Sequence, residues 1–224
     1  MTGGAARSAR GALSRERVIE AAVAVADAGG LAAVSMRNVG KQLGVEAMSL
    51  YHHISSKDAL LDELVDGIFA QMELPALDDP WRPAMAMRAG SSRRVLAAHP
   101  WALGLIESRP TPMPANMRHH DTVLGNLRRN GFPLDLAAHA YSVIDAYVYG
   151  FVMTEANLPF GADDGEGAAD FASAFEFPAD EYPYLAEMIQ EKVSGGGYAF
   201  ADEFAYGLDI ILDELERRLA AVSC

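Results

Sequence analysis

Apolar residues recur at three- and four-residue intervals along most of the chain, which is the spacing of amphipathic helices. In the first 72 residues this pattern predicts four helices, interrupted at Gly29-Gly30, at Gly44 and at Ser55-Ser56. The second and third helices are each about two turns long and are joined through Gly44, a residue that tolerates the left-handed backbone of a tight turn. This arrangement predicts a helix-turn-helix, whose second helix enters the major groove of DNA.

Serine residues stand where three of these helices should begin. Ser14 and Ser35 each precede an apolar-periodic run and can accept a hydrogen bond from the free N–H groups of the first turn. Ser55 with Asp58 predicts a variant of the capping box at the start of the fourth helix.

The same periodicity continues past a Pro- and Asp-rich joint at residues 75–83. It predicts helices at 81–98, 101–107, 114–130, 133–158, 180–193 and 199–221, with no alternating strand pattern between them. The acidic, Gly- and Ala-rich segment 160–179 predicts a mobile loop. The expected fold is therefore all-α, with an N-terminal three-helix helix-turn-helix domain (13–60) joined to an all-α C-terminal bundle (61–224) and preceded by a disordered basic arm (1–12).

The charge of the chain is divided unevenly. Its net charge is −13, yet residues 1–57 carry seven Lys and Arg against four Asp and Glu, whereas the remainder carries 11 against 27. A positive module on an acidic body is typical of a protein whose small domain meets nucleic acid. A chance fluctuation of a few charges remains the alternative.

Several classes of protein are disfavoured by composition. No run of about 18 apolar residues predicts a membrane span, and the N-terminus lacks the apolar core of a secretory signal. The single cysteine, Cys224, allows neither an internal disulfide nor a thiolate metal cage. We expect a cytoplasmic protein that does not associate with membranes.

The third helix presents candidate chemistry for reading DNA. With Leu50 at the centre of its buried face, a rotation of 100° per residue places Met48 and His52 opposite, with Ser49 and Tyr51 on the flanks. Hydroxyls, an imidazole and an apolar group suit the base edges of the major groove. His53 falls nearer the core side, so the two histidines cannot converge on one metal ion.

At these residues the chain resembles a known family. The stretch "VIEAAVAVADAGGLAAVSMRNVGKQLGVEAMSLYHHISSKDALLDEL" is similar to the DNA-binding region of tetracycline-repressor (TetR) family regulators, and "LGV…SLYHHISSKDALL" to the third helix and the start of the fourth. The resemblance implies that Tyr51 and Lys57 hold phosphates, whereas Arg37, Ser49 and His52 face bases. Met48 also lies on this face and departs from the proline that is frequent there.

Helix 133–158 is apolar on most of its circumference and must be covered on both sides, and helix 199–221 has one broad apolar face. Pairing with their copies in a homodimer would cover the rest and would supply the twofold symmetry that two DNA half-sites need. The expected interface residues are Tyr141, Val148, Val152, Leu208, Ile211, Leu212 and Leu215. A charge at Leu212 is expected to break such an interface.

The body also resembles the C-terminal domain of the tetracycline repressor, notably in "HPWALGLIESRP" and "LRRNGFPLDLAAHAYSVIDAYVYGF". The resemblance implies a small-molecule effector among helices that carry Met85, Trp101, Leu105, Ile106, Met113, Met117, His120, Tyr147 and Phe151. Met and aromatic side chains suit an adaptable apolar pocket, although each could equally be ordinary core. For His120 a core position bonded to a carbonyl is favoured over an effector contact, and His119 and Asp121 are expected to face solvent.

These features together predict a homodimeric, ligand-responsive regulator, a repressor that a small apolar effector releases from a palindromic double-stranded DNA operator. No metal ligand and no cofactor is carried over, and no enzymatic activity is expected. The alternative is a small-molecule-binding or enzymatic helical bundle with a vestigial helix-turn-helix. Against it, the body offers no nucleophile–base pair and no HExxH motif.

Overall fold

The computed structural model describes residues 12–109, 111–174, 178–195 and 197–222, and every regular element within those ranges is helical, which confirms the all-α prediction. The α-helices are α1 (Arg15–Gly29), α2 (Met36–Leu43), α3 (Ala47–Leu50), α4 (Lys57–Gln71), α5 (Trp81–Ala98), α6 (Ala102–Ser108), α7 (Pro114–Arg129), α8 (Leu134–Ala156), α9 (Gly165–Ser173), α10 (Pro183–Met188) and α11 (Glu203–Val222). Short 3₁₀ turns lie at Leu31–Ala33 and Phe200–Asp202, and a π turn at Ile189–Val193. Nearly all of the predicted arm, residues 1–11, and Cys224 lie outside the described residues.

Serine caps set the starts of the first helices. The N–H of Arg17 donates to Ser14 Oγ at 3.3 Å, and that of Asn38 donates to Ser35 Oγ at 3.1 Å, as predicted. The predicted cap of α4 is wrong by one residue: Ser56, not Ser55, accepts the N–H of Ala59 at 3.0 Å. The backbone stays extended through Ser56, so the helix begins one residue later.

A tight glycine turn joins α2 to α3. Gly44 has the left-handed φ of 71°, and its N–H donates to Lys41 O at 3.2 Å. A Cβ on Gly40 would lie 2.9 Å from the carbonyl oxygen of Val45, so a side chain here would force the two helices apart. Regular helix in α3 lasts one turn rather than two, because only turn structure follows Leu50.

Part of the segment predicted as a loop is a helix. Within 160–179, α9 forms over Gly165–Ser173, with Asp164 accepting the N–H of Gly167 at 2.8 Å. A carboxylate cap and several alanines favour a helix where acidity and glycine suggested disorder. Residues 175–177 lie outside the described residues.

Helix α4 belongs to both halves of the molecule. It packs against α1 in the N-terminal module and against α5, α6 and α7 in the body, and its buried side chains include Leu64 and Ile68. The domain boundary expected after residue 60 therefore falls inside this helix. In the body, α8 packs between α5 and α11.

Polar contacts reinforce the junction between the two halves. Asp27 of α1 accepts the indole N–H of Trp101 at 2.7 Å and lies 2.7 Å from His99 Nδ1. Asp66 of α4 accepts the N–H groups of Ala115 and Asn116 at 2.8 and 3.0 Å, which caps the start of α7. The body therefore contacts the N-terminal module through α4 and through Asp27.

No helix in the described ranges has the length and apolar character that crossing a membrane requires.

Candidate DNA-binding surface and effector cavity

The third helix presents its polar side outward. Leu50 is fully buried, whereas 73% of Met48 and 44% of Tyr51 are exposed, and His52 is exposed beside them. Ser49 and His53 are half-buried at the edges of this face. The rotational setting of the helix agrees with the prediction, while the contacts with DNA stay predictions.

Basic side chains flank this face. Arg37 lies exposed on α2, and Lys57 is exposed in the first turn of α4. Lys41, one helical turn after Arg37, is also exposed and was missing from the predicted set. The i, i+4 spacing of two cations on one helix was the signal that could have found it.

Most residues predicted for the dimer interface point into the subunit's own core. Val148, Val152, Leu208, Leu212 and Leu215 are buried by contacts within one chain. The predicted set needs correction, because α8 and α11 already cover these side chains by packing on each other and on α5. Ile211 and Tyr141 are half-buried, and Tyr141 faces a cavity on another side of α8.

The other sides of α8 and α11 leave a large apolar groove uncovered. The groove has a volume of about 570 Å³ and is bordered by Leu136, His139, Ser142, Val143, Ile210, Ile211, Glu214, Leu215 and Arg218. Val143 is 41% exposed and Ile210 is 55% exposed, and Tyr206 and Leu134 extend the apolar surface. Exposed apolar patches of this kind are typical of protein–protein interfaces.

The residues predicted for the effector site are scattered. Met85 and Leu105 are buried in the core. Trp101 lies at the junction with α1, and 51% of Met117 is exposed. Met113 is half-buried ahead of α7. Trp101 and Met117 lie on the helices that were predicted to surround the effector. Their side chains, however, point away from the space between those helices.

Two further predicted residues join α8 to α11. The hydroxyl of Tyr147 donates to Phe204 O at 3.0 Å, and its ring stacks on that of Phe204. The ring of Phe151 stacks on Phe200 with a centroid separation of 4.7 Å. These rings fill a core layer rather than line a cavity.

A cavity of about 390 Å³ does lie between α4, α6, α7 and α8. It is bordered by Phe69, Ile106, Glu107, Asn116, His120, Tyr141, Ser142, Asp145, Ala146 and Tyr149. Of the nine predicted effector residues, Ile106 and His120 are in this wall. Small-molecule sites commonly have such a size and a similar mixture of aromatic and polar groups.

A buried polar network stands behind one wall of the cavity. Arg88 of α5 forms an ion pair with Asp145, its Nε–H donates to His119 Nε2 at 3.4 Å, and its guanidinium lies 5.1 Å from the ring centroid of Tyr141. Arg88 is 1% exposed, so the Asp145 carboxylate supplies the countercharge that its burial requires. Sequence reasoning missed this network, although an Asp in the middle of an apolar helix and an Arg among small residues were available signals.

The two histidines of α7 differ in environment. The prediction that His119 faces solvent is wrong: it is 1% exposed and packs on the ring of Phe69. Burial, with Arg88 nearby, lowers the pKa of His119 to about 3, so this imidazole is neutral. Because its Nε2 accepts from Arg88, the proton sits on Nδ1.

His120 lies closer to solvent. Its Nδ1 is 2.9 Å from the carbonyl oxygen of Asn116, which confirms the predicted bond to a carbonyl. Its ring also lies 4.7 Å from that of Tyr141, so His120 belongs to the cavity wall as well. The core and cavity interpretations of this residue are therefore compatible.

Family comparisons agree with this architecture. Residues 18–64 match the family described as bacterial regulatory proteins, tetR family, and residues 74–219 match the tetracyclin repressor-like C-terminal domain. The transcriptional repressor DrrR1 of Streptomyces coeruleorubidus is 34% identical over 219 residues, covering 94% of this chain and 80% of that protein. The class D tetracycline repressor of Escherichia coli is 29% identical over 217 residues, covering 94% and 92%.

A solved structure gives the same picture. The TetR family protein ActR of Streptomyces coelicolor, crystallised in complex with actinorhodin, matches with a TM-score of 0.73 and 25% identity over 91% of this chain and 95% of its own. Both the N-terminal and the C-terminal family domains are present in order, and the second alone spans more than half of the chain. The chain belongs to the TetR family of ligand-responsive transcriptional regulators.

Proposed function

We propose that this protein is a homodimeric repressor that binds a palindromic DNA operator and is released from it by a small molecule. The observation that carries the proposal is the exposed face of Met48, Tyr51 and His52, anchored from behind by the buried Leu50. Arg37, Ser49 and His52 would contact bases, whereas Tyr51 and Lys57 would contact phosphates.

The dimer would form through the groove between α8 and α11. Val143 and Ile210 supply exposed apolar surface there, and a twofold axis would place each α8 and α11 against its copy. Two recognition helices set about 34–36 Å apart would then meet successive major grooves. This interface keeps Ile211 and Leu215 from the predicted set, whereas Val148, Val152, Leu208 and Leu212 are buried within the subunit.

The effector would occupy the cavity between α4, α6, α7 and α8. Phe69 contributes to its wall from α4, the helix that also carries Lys57 at its start. A ligand that prefers a different tilt of α4 would move the recognition helix and release DNA by differential affinity. ActR, crystallised in complex with actinorhodin, supports an effector site in a protein of this architecture.

A purely regulatory role is proposed in preference to an enzymatic one. Within the described ranges, no group of three His, Cys, Asp or Glu side chains could hold a metal ion. The named relatives are transcriptional repressors. The reading of the helical bundle as an enzyme with a vestigial helix-turn-helix has no comparable support.

The proposal is tested by gel-shift titration at two salt concentrations. The probe is the DNA upstream of the protein's own coding sequence. Lys57→Met should weaken binding to specific and random DNA alike and should reduce the salt dependence by about one counterion. Ser49→Ala should instead change the preference among operator variants. Lys192→Met removes the same charge from an exposed position of the body and serves as the control. Absence of any preference for the upstream DNA over random DNA would contradict the proposal.

A further inference from the structure

The cavity between α4, α6, α7 and α8 has aromatic walls. Phe69, Tyr141, Tyr149 and His120 border it, and the ring of His120 lies 4.7 Å from that of Tyr141 at an interplanar angle of 31°. Flat aromatic walls favour a flat aromatic ligand, because ring faces stack at low entropic cost. The volume of about 390 Å³ is in the range of sites for molecules of a few fused rings.

The charges around this cavity do not cancel. Asp145 and Glu107 both border it, and the Asp145 carboxylate is paired with Arg88. Glu107 is exposed at the edge of the cavity and forms no ion pair with any other described residue, and His119 behind the wall is neutral. One carboxylate charge therefore remains uncompensated at the cavity.

The hydroxyl of Tyr149 in the wall is affected by the same carboxylates. Burial is the main reason that the pKa of Tyr149 is raised, and the carboxylates of Asp145 and Glu107 raise it further. Arg88 opposes this effect without cancelling it. Neither Arg88 nor His119 borders the cavity, and the guanidinium of Arg88 lies 5.1 Å from the ring centroid of Tyr141.

We infer that the effector of this protein is a planar aromatic cation, an inference that rests on the proposed function. Its ring system would lie among the rings of Phe69, Tyr141 and Tyr149, and its positive charge would point toward Glu107 and Asp145. Aromatic faces attract cations through their quadrupole, and the attraction grows when water is excluded. An aromatic anion of equal size would meet the carboxylates without a free cation in the wall.

Three acridines of nearly the same shape test this inference by fluorescence titration at pH 7.5. 9-Aminoacridine is a cation at that pH, acridine is neutral and acridine-9-carboxylate is an anion. The cation should bind about fivefold more tightly than acridine, and the anion should bind most weakly. Equal affinities, a preference for the anion or failure of all three dyes to bind would overturn the inference.

Substitutions in the cavity wall test whether the preference for the cationic dye arises there. Glu107→Gln should weaken 9-aminoacridine binding about threefold while acridine stays within about twofold. Asp135→Asn removes an exposed charge about 15 Å away along the same helix as Asp145 and should change neither dye. Asp145→Asn should reduce the preference for the cation further, and circular dichroism checks that this variant folds. If it does not fold, the result for Glu107→Gln decides whether the inference holds.

Ala146→Phe fills the cavity from α8 and should abolish binding of the dyes. Normal dye binding by that variant would place the dyes elsewhere and overturn the inference. Operator binding without dye is measured separately by gel shift. A protein that binds operator but does not discriminate among the dyes refutes the aromatic cation alone, whereas loss of operator preference in the wild-type protein refutes the proposed function.

Discussion

The N-terminal module and the body are stabilised in different ways. In the module, short helices bury one side, and serine caps and the Gly44 turn fix their ends within a few residues. In the body, α8 is covered by α5 and α11, and contacts distant in sequence such as Arg88–Asp145 and Arg93–Glu155 tie the helices together. Local interactions therefore define the surface for DNA, whereas long-range packing and buried charge define the cavity.

The largest effect on stability is expected from a charge placed in the core of the body. Leu212→Glu should lower the free energy of unfolding by at least about 3 kcal/mol, because Leu212 is 1% exposed and a carboxylate at this position would lose its hydration. Urea unfolding measures this change. A stable Leu212→Glu protein that is monomeric would instead restore Leu212 to the dimer interface.

Ile210→Glu, two residues earlier on the same helix, is the matched variant. Ile210 is 55% exposed in the groove, so the subunit should fold normally while the dimer dissociates and operator binding is lost. Sedimentation at micromolar concentration distinguishes the two results. A folded, dimeric Ile210→Glu protein would place the interface elsewhere.

Acid should affect the body through His119. The pKa of this buried imidazole is lowered to about 3, so between pH 6.5 and 3 the unfolded chain binds a proton that the folded protein does not. Its contribution to stability is complete above pH 6.5 and is lost as the pH falls, at up to about 1.4 kcal/mol per pH unit. His119→Gln should flatten that slope in urea unfolding at pH 7, 6 and 5; an unchanged slope would show that His119 is protonated in the folded protein.

The close approach within the helix-turn-helix should respond to a single methyl group. Gly40→Ala brings a Cβ within 2.9 Å of the carbonyl oxygen of Val45, and we expect a loss of about 1–2 kcal/mol of stability together with weaker operator binding. Gly67→Ala, in α4 with open space around it, should be neutral or stabilising. Thermal unfolding compares the two variants, and equal effects would contradict the crowding at Gly40.

The smallest effect is expected at the junction. Trp101→Phe keeps a ring but removes the N–H that Asp27 accepts at 2.7 Å, at a cost of about 1 kcal/mol in thermal unfolding. Asp27→Asn provides a second measurement on the same contact. If Trp101→Phe leaves stability unchanged, the hydrogen bond from Trp101 to Asp27 does not help to hold the two halves together.

The sequence predicted the exposed face of the third helix correctly but not that of α8, and the difference has a physical reason. In the third helix Leu50 is fully buried and is followed by the polar residues Tyr51 and His52, so its burial fixes the rotation of the helix. Helix α8 is apolar on most of its circumference, so the pattern does not say which side meets α5, α11 or a second subunit. Val148 was consequently assigned outward, although it is buried within the chain.

The cavity was harder to foresee. Its polar groups come from α6, α7 and α8, and the pairing of Asp145 with Arg88 of α5 spans 57 positions. No short motif encodes such a contact, so His119 could be placed correctly only when the partners on neighbouring helices were known. Apart from α9, the order and approximate bounds of the helices in the body, by contrast, followed from periodicity and from proline and glycine positions.

The helix shared by both halves limits how this protein can be rebuilt. A chimera cut after residue 60 would sever α4 and expose Leu64, Ile68 and Phe69, which are buried in the intact chain. The connection between Met72 and Trp81 is a better splice point, because it lies between helices and carries α4 over intact. A new sensor body would then need a surface that accepts α4 and a partner for Asp66. Exchange of sensors between such regulators is governed by the fit to this one helix.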